Sequence, residues 1–153
     1  MILDTGIEVI ITAFLAAFTA QFLKLIFYYM SNHKVNFKIL SETGGMPSSH
    51  SAFVLGLSTS VALIDGITST EFAIAIGFSM IVMYDAAGLR RSAGRMAMVL
   101  NRLVDDIYEH RPPHAGEKLI ELLGHTPIEV LMGALLGIVI AFGYHLYLSG
   151  LLF

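Results

Sequence analysis

Long apolar runs alternate with short polar ones along this chain, and the runs are longer than the core helices of a water-soluble domain. Four of them, Thr5 to Met30, Pro47 to Ile64, Thr70 to Ala87 and Thr126 to Leu148, reach or approach the roughly 20 residues that a helix needs to cross a bilayer. The second and third are the shortest, which leaves re-entrant or interfacial placement open for them. Between the third and fourth runs, residues 88–125 mix charged and apolar positions. There Ala93, Met96, Ala97, Leu100 and Leu103 recur at helical spacing among Arg90, Arg91, Arg95 and Arg102. This pattern predicts an amphipathic helix lying against the membrane or capping the bundle. Pro112-Pro113 is expected to end it, and a shorter helix around Glu117 to Leu123 to lead into the last run. The expected architecture is therefore all-α: four transmembrane helices and a helical insert over 88–125, in one membrane domain spanning 1–153.

Composition agrees. The chain is 56% hydrophobic and 14% charged, where soluble domains average about 25% charged. The absence of cysteine excludes a disulfide framework and thiolate metal sites. A net charge of −3 gives no reason to expect nucleic acid. The N-terminus lacks a basic region and a small-residue cleavage pattern, so its apolar run is read as a membrane helix, not a signal peptide.

Charge placement adds an orientation. All nine Lys and Arg lie in or beside two connections: Lys24, Lys34 and Lys38 at the first, and Arg90, Arg91, Arg95, Arg102, Arg111 and Lys118 at the second. The positive-inside rule puts both connections in the cytoplasm and both chain ends outside.

Candidate chemistry sits at two expected helix starts on that cytoplasmic side. Gly44-Gly45-Met46-Pro47-Ser48-Ser49-His50 opens the second run, with Pro47 suited to the first helical position and the Ser48 and Ser49 hydroxyls beside unpaired N–H groups that attract anions. Gly124-His125-Thr126-Pro127-Ile128-Glu129 opens the fourth. His125 and Glu129 are four residues apart and share a helix face, so the carboxylate can orient the imidazole. Glu129 can equally serve as a negative charge favoured by the helix N-terminus. Two histidines on one side of the membrane can face one pocket, one as nucleophile and one as acid.

The strings GGMPSSHSA, MYDAAGLRRSAG and LGHTPIEV resemble the signatures of the divergent PAP2 family, related to type 2 phosphatidic acid phosphatases and vanadium haloperoxidases. Pro47-Ser48-Ser49-His50 matches that superfamily's Pro-Ser-Gly-His element with serine for glycine. His125 and Glu129 match its histidine–aspartate element with glutamate for aspartate. The resemblance implies a PAP2-like helical core and a phosphatase acting on a membrane lipid such as phosphatidate, phosphatidylglycerophosphate or a polyprenyl phosphate. His125 would be the nucleophile, Glu129 its orienter and His50 the acid, with Ser48, Ser49, Thr126 and Lys24 at the phosphate. Two elements depart from the superfamily pattern. Ser31-Asn32 stands where an Arg-Pro pair is expected after Lys24, and Lys118-Leu119 where a Ser-Arg pair is expected. Arg90 and Arg91 are therefore the substitute phosphate-binding cations, with Lys118 the next choice. The same departures suit a rival from another class: a small transporter or assembly subunit that binds phosphorylated lipid without turnover.

Other polar positions have plainer readings. Lys24 either contacts substrate or snorkels at its helix end. Asp85 either serves function or locks onto Arg90 or Arg91. Asp85, Glu42, Asp105 and Asp106 have no ligand spacing, and neither metal nor cofactor is expected. His33, His110 and His114 are expected to be solvated, and His145 to lie near the opposite face. Gly133 and Gly137 form a small-xxx-small pair suited to close helix packing. Four helices enclose little volume, so a homodimer is reasonable.

Overall fold

The outer faces of these helices carry the large apolar side chains and the inner faces the small and polar ones, the inverse of a soluble bundle and the arrangement that lipid favours. A computed structural model describes residues 2–33, 45–108 (backbone alone at 89–91 and 105–108) and 124–150. Among these residues five α-helices follow in order: α1 (Gly6–Asn32), α2 (Ser49–Ile64), α3 (Thr70–Tyr84), α4 (Arg90–Tyr108) and α5 (Pro127–Leu148), with a π-helical turn, Asp85–Leu89, between α3 and α4. On α1, Glu8, Thr12, Ala16, Ala20 and Lys24 repeat every fourth residue and are buried, while Phe14, Phe18 and Phe22 are exposed. The helix stops at His33, which adopts a left-handed conformation and donates its N–H to the Tyr29 carbonyl at 2.8 Å.

The central helix is α2, which packs against α1, α3 and α5. Glycine makes its contact with α5 possible. A Cβ on Gly133 would overlap the Ser48 carbonyl oxygen, and one on Gly137 would overlap the Ala52 carbonyl oxygen and lie 2.7 Å from the Gly56 nitrogen. Close packing at this small-xxx-small pair is thus observed. Gly56 in turn faces α1, where its Cβ would sit 3.1 Å from that of Ala16. Against α3 the link is polar. The Ser58 and Ser79 hydroxyls lie 2.6 Å apart, each within reach of the Val54 carbonyl. Hydrogen bonds of this kind between membrane helices contribute roughly 0.6–2 kcal/mol.

Three helical stretches among the described residues are long and apolar enough to cross a membrane: Gly6–Asn32, Thr70–Val104 and Pro127–Leu148. The expected fourth, α2, has 16 residues and a length of about 24 Å, short of the ~30 Å hydrocarbon core. Pro47 also falls outside the helix it was expected to open. Ser48 is the N-cap and Ser49 the first helical residue, with a cis Met46–Pro47 peptide ahead of them. The expected boundary at Gly88 is absent too, because the π turn carries the helix through that glycine from α3 into α4. The amphipathic helix of the insert is present as α4, and Met96, Leu100 and Leu103 on its apolar stripe are exposed. Pro112-Pro113 and the short helix expected over Glu117 to Leu123 lie outside the described residues.

Gly137→Ala should destabilise the bundle by about 1–3 kcal/mol, because its methyl group meets backbone that cannot give way. Gly143→Ala, on the same helix with nothing within 4 Å of its Cβ position, should be neutral or stabilising by up to ~1 kcal/mol. Unfolding of the two variants in detergent measures the difference.

Candidate functional site

Two helix starts are brought edge to edge by the glycine contact. The Ser48 N–H donates to the Glu129 carbonyl at 3.0 Å, joining the N-cap of α2 to the first turn of α5. Each start is capped by its own sequence. The Ser48 hydroxyl oxygen accepts from the Ser51 N–H at 3.4 Å and from the Ser51 hydroxyl at 3.1 Å. On α5, Pro127 takes the first helical position and Thr126 with Glu129 forms a reciprocal capping box. The Thr126 hydroxyl accepts from the Glu129 N–H at 3.3 Å, and Glu129 Oε2 accepts from the Thr126 N–H at 3.1 Å.

The same Oε2 lies 3.1 Å from His125 Nδ1. An ionised carboxylate only accepts, so Nδ1 of His125 is the donor to Glu129 and Nε2 is the ring nitrogen on the other side. The two readings of Glu129 are therefore both realised: one oxygen caps the helix and orients the histidine. His125 is held from a second direction, since its N–H donates to the Ala86 carbonyl of the π turn at 3.1 Å. Opposite stands His50, with ring centroids 6.2 Å apart and planes inclined at 63°. His125 is buried and His50 is exposed, so the pair is open on the His50 side.

Lys24 completes the cluster. It does not snorkel to the helix end but is 4% exposed, with its stem folded over Gly45, whose Cβ would be 3.3 Å from the lysine Cδ. Gly45 has φ of 81°, a conformation that favours glycine, so space and backbone both call for that residue. Lys24 is close enough to Glu129 for their charges to interact. The local field thus includes the buried Lys24, the Glu129 carboxylate and the positive ends of two helices.

The sequence-expected residues His50, His125, Glu129, Thr126, Ser48, Ser49 and Lys24 therefore fall at one end of the bundle. Arg90 and Arg91 begin α4 directly after the turn whose Ala86 carbonyl holds His125, and only their backbone is described. Lys118 lies outside the described residues, as does Glu42. Three contributors were not anticipated. Ser51 steadies the Ser48 hydroxyl and was signalled by its spacing of three; Gly45 seats Lys24; and the Ala86 carbonyl has no side-chain signal at all.

The geometry can be set beside known proteins. The model of the divergent PAP2 family matches residues 6–140, from the start of α1 into α5. Over 141 residues the chain is 43% identical to the uncharacterized membrane protein YuiD of Bacillus subtilis (strain 168), covering 86% of this chain and 89% of that protein. No solved structure shows a significant match. With both histidine-bearing helix starts inside the matched span, the chain belongs to the divergent PAP2 family of membrane proteins.

Proposed function

We propose that the protein is a membrane phosphatase that hydrolyses a lipid-linked phosphate monoester or pyrophosphate through a phosphohistidine. The observation that carries this reading is the Glu129-oriented His125 facing His50 across 6.2 Å, beside the buried Lys24. In the first step His125 Nε2 attacks phosphorus and forms an N–P bond as the bond to the leaving oxygen breaks. Glu129 accepts the Nδ1 proton in a hydrogen bond and so stabilises the positive ring that develops. His50 in its protonated form gives its proton to the departing alkoxide or phosphate. Water then attacks phosphorus, His50 takes its proton, the N–P bond breaks and inorganic phosphate leaves. Lys24 and the N–H groups of the two helix starts supply the charge that the phosphoryl oxygens need. Arg90 and Arg91, whose backbone follows the turn bonded to His125, remain the proposed additional cations, with Lys118 behind them.

A site at a helix end suits a substrate whose tail stays in lipid while its head reaches the histidines. Phosphatidate, phosphatidylglycerophosphate and polyprenyl diphosphate fit that description. The positive-inside rule, applied to the basic connections, supports a site on the cytoplasmic side with both termini outside. A binder without turnover is the second reading, favoured by the burial of His125, 2% exposed, and by the missing Arg-Pro and Ser-Arg pairs.

Purified protein presented with these lipids should release phosphate, and His125→Ala should lower the rate at least about 10³-fold. Lipid retention without histidine-dependent release from any of the three favours the binder instead. Glu129→Gln, which keeps the cap but removes the carboxylate charge, should cost about 10²- to 10⁴-fold in kcat. Sidedness has its own test. A single cysteine at His33, in a chain without native cysteine, should resist an impermeant maleimide on intact cells and react once they are permeabilised; labelling on intact cells contradicts the orientation.

A further inference from the structure

The opposite end of the bundle holds a second polar cluster that the phosphatase reading does not use. Glu8, in the first turn of α1, is fully buried, and its Oε1 lies 2.8 Å from Nδ1 of His145 near the end of α5. Its Oε2 accepts the Asp4 N–H at 2.8 Å. The Asp4 carboxylate belongs to the same cluster: one ligand atom from each of Asp4, Glu8 and His145 lies within 4.8 Å of the other two. From Glu129 to His145 is 16 residues along α5, about 24 Å, so this cluster is separate from the histidine pair.

Two observations distinguish it from a structural lock. The first is charge. Asp4 and Glu8 bring two carboxylates together, and Asp65, the C-cap of α2, and Glu71, in the first turn of α3, lie at the same end. The nine Lys and Arg all fall between positions 24 and 118 of the sequence. Two carboxylates and one imidazole with converging ligand atoms are a donor set for a cation.

The second is a pair of buried hydroxyls. Thr12 Oγ1 and Ser60 Oγ are without a hydrogen-bond partner among the described residues, and both residues are fully buried. Thr12 lies one turn from Glu8 on the same face of α1. The Cβ position of Gly56 is 3.6 Å from the Thr12 carbonyl and 3.1 Å from Ala16 Cβ. Because α2 runs antiparallel to α1, Ser60, one turn beyond Gly56, comes level with the Glu8–Thr12 turn. Buried hydroxyls with no protein partner are places where an ion or its water completes the bonding.

We propose that Asp4, Glu8 and His145 form a binding site for one divalent transition-metal ion, with Zn²⁺ the best match, clamping α1 to α5 at this end of the bundle. One imidazole and two carboxylates are ligands that Zn²⁺ accepts at about 2.0–2.2 Å, leaving a fourth position for water. Imidazole ligation disfavours Mg²⁺ and Ca²⁺. The ion bridges Glu8 and His145 in place of their direct contact, and the exposed Asp4 gives it an entrance from water.

Full-length protein in detergent, stripped with chelator, tests this by calorimetric titration with Zn²⁺, elemental analysis and thermal unfolding. One equivalent should bind and raise the unfolding temperature. His145→Gln should lose that equivalent, and Asp4→Asn, at an exposed position whose backbone N–H is what bonds Glu8, should weaken it at least about 10-fold. The equivalent should persist in His50→Ala and His125→Ala. Failure to take up Zn²⁺, uptake unchanged in both Asp4→Asn and His145→Gln, loss only in the His50 and His125 variants, or preference for Mg²⁺ or Ca²⁺ each overturns the proposal.

Discussion

The close approach of α5 to α2 at Gly133 and Gly137 is the constraint on which the rest depends. With hydrogen in place of Cβ, the α5 backbone lies directly on the Ser48 and Ala52 carbonyls. That approach lets the Ser48 N–H reach the Glu129 carbonyl, which fixes the level of one helix start against the other. His50 and His125 each follow from their own start by a short rigid path, so their spacing is set by backbone contact and not by flexible side chains. Gly56 extends the same contact to α1 through Ala16, which brings Lys24, two turns further along that helix, to the same end of the bundle.

Around this contact each polar group serves more than one bond. Glu129 Oε2 caps α5 and orients His125; the Ser48 backbone joins two helices while its hydroxyl caps one of them. Burial of Ser48 and His125 gives this economy a physical cause, because buried polar groups must find partners within the protein. It also ties function to fold. A change at Glu129 loosens the helix start and the histidine together, unless, as with glutamine, the cap oxygen is kept.

Much of this was legible in the sequence because it rests on local rules. Pro127 with Thr126 and Glu129 forms a capping box that spacing alone specifies, and the i,i+4 relation of His125 to Glu129 follows from helix geometry. Glycines four apart announced the tight crossing. Membrane helices were visible as apolar runs, yet α2 proved too short to count among the clear spans, and the helix continued through Gly88 by a π turn that no residue pattern encodes. Lys24 was ambiguous for a reason of its own. A lysine near a helix end usually reaches for water, and only the space left by Gly45, in the left-handed region at φ 81°, turns it inward. The Glu8–His145 pair was invisible because 137 positions separate its members.

The central claim is that the two helix starts make one phosphoryl site with His125 as nucleophile. Vanadate, which adopts the geometry of the phosphoryl transition state, tests it most directly in a structure of the protein soaked with that ion. The account predicts vanadium bonded to His125 Nε2, an apical oxygen facing His50, and Lys24 at the equatorial oxygens. Vanadium bound to His50, or held away from both histidines, would contradict it.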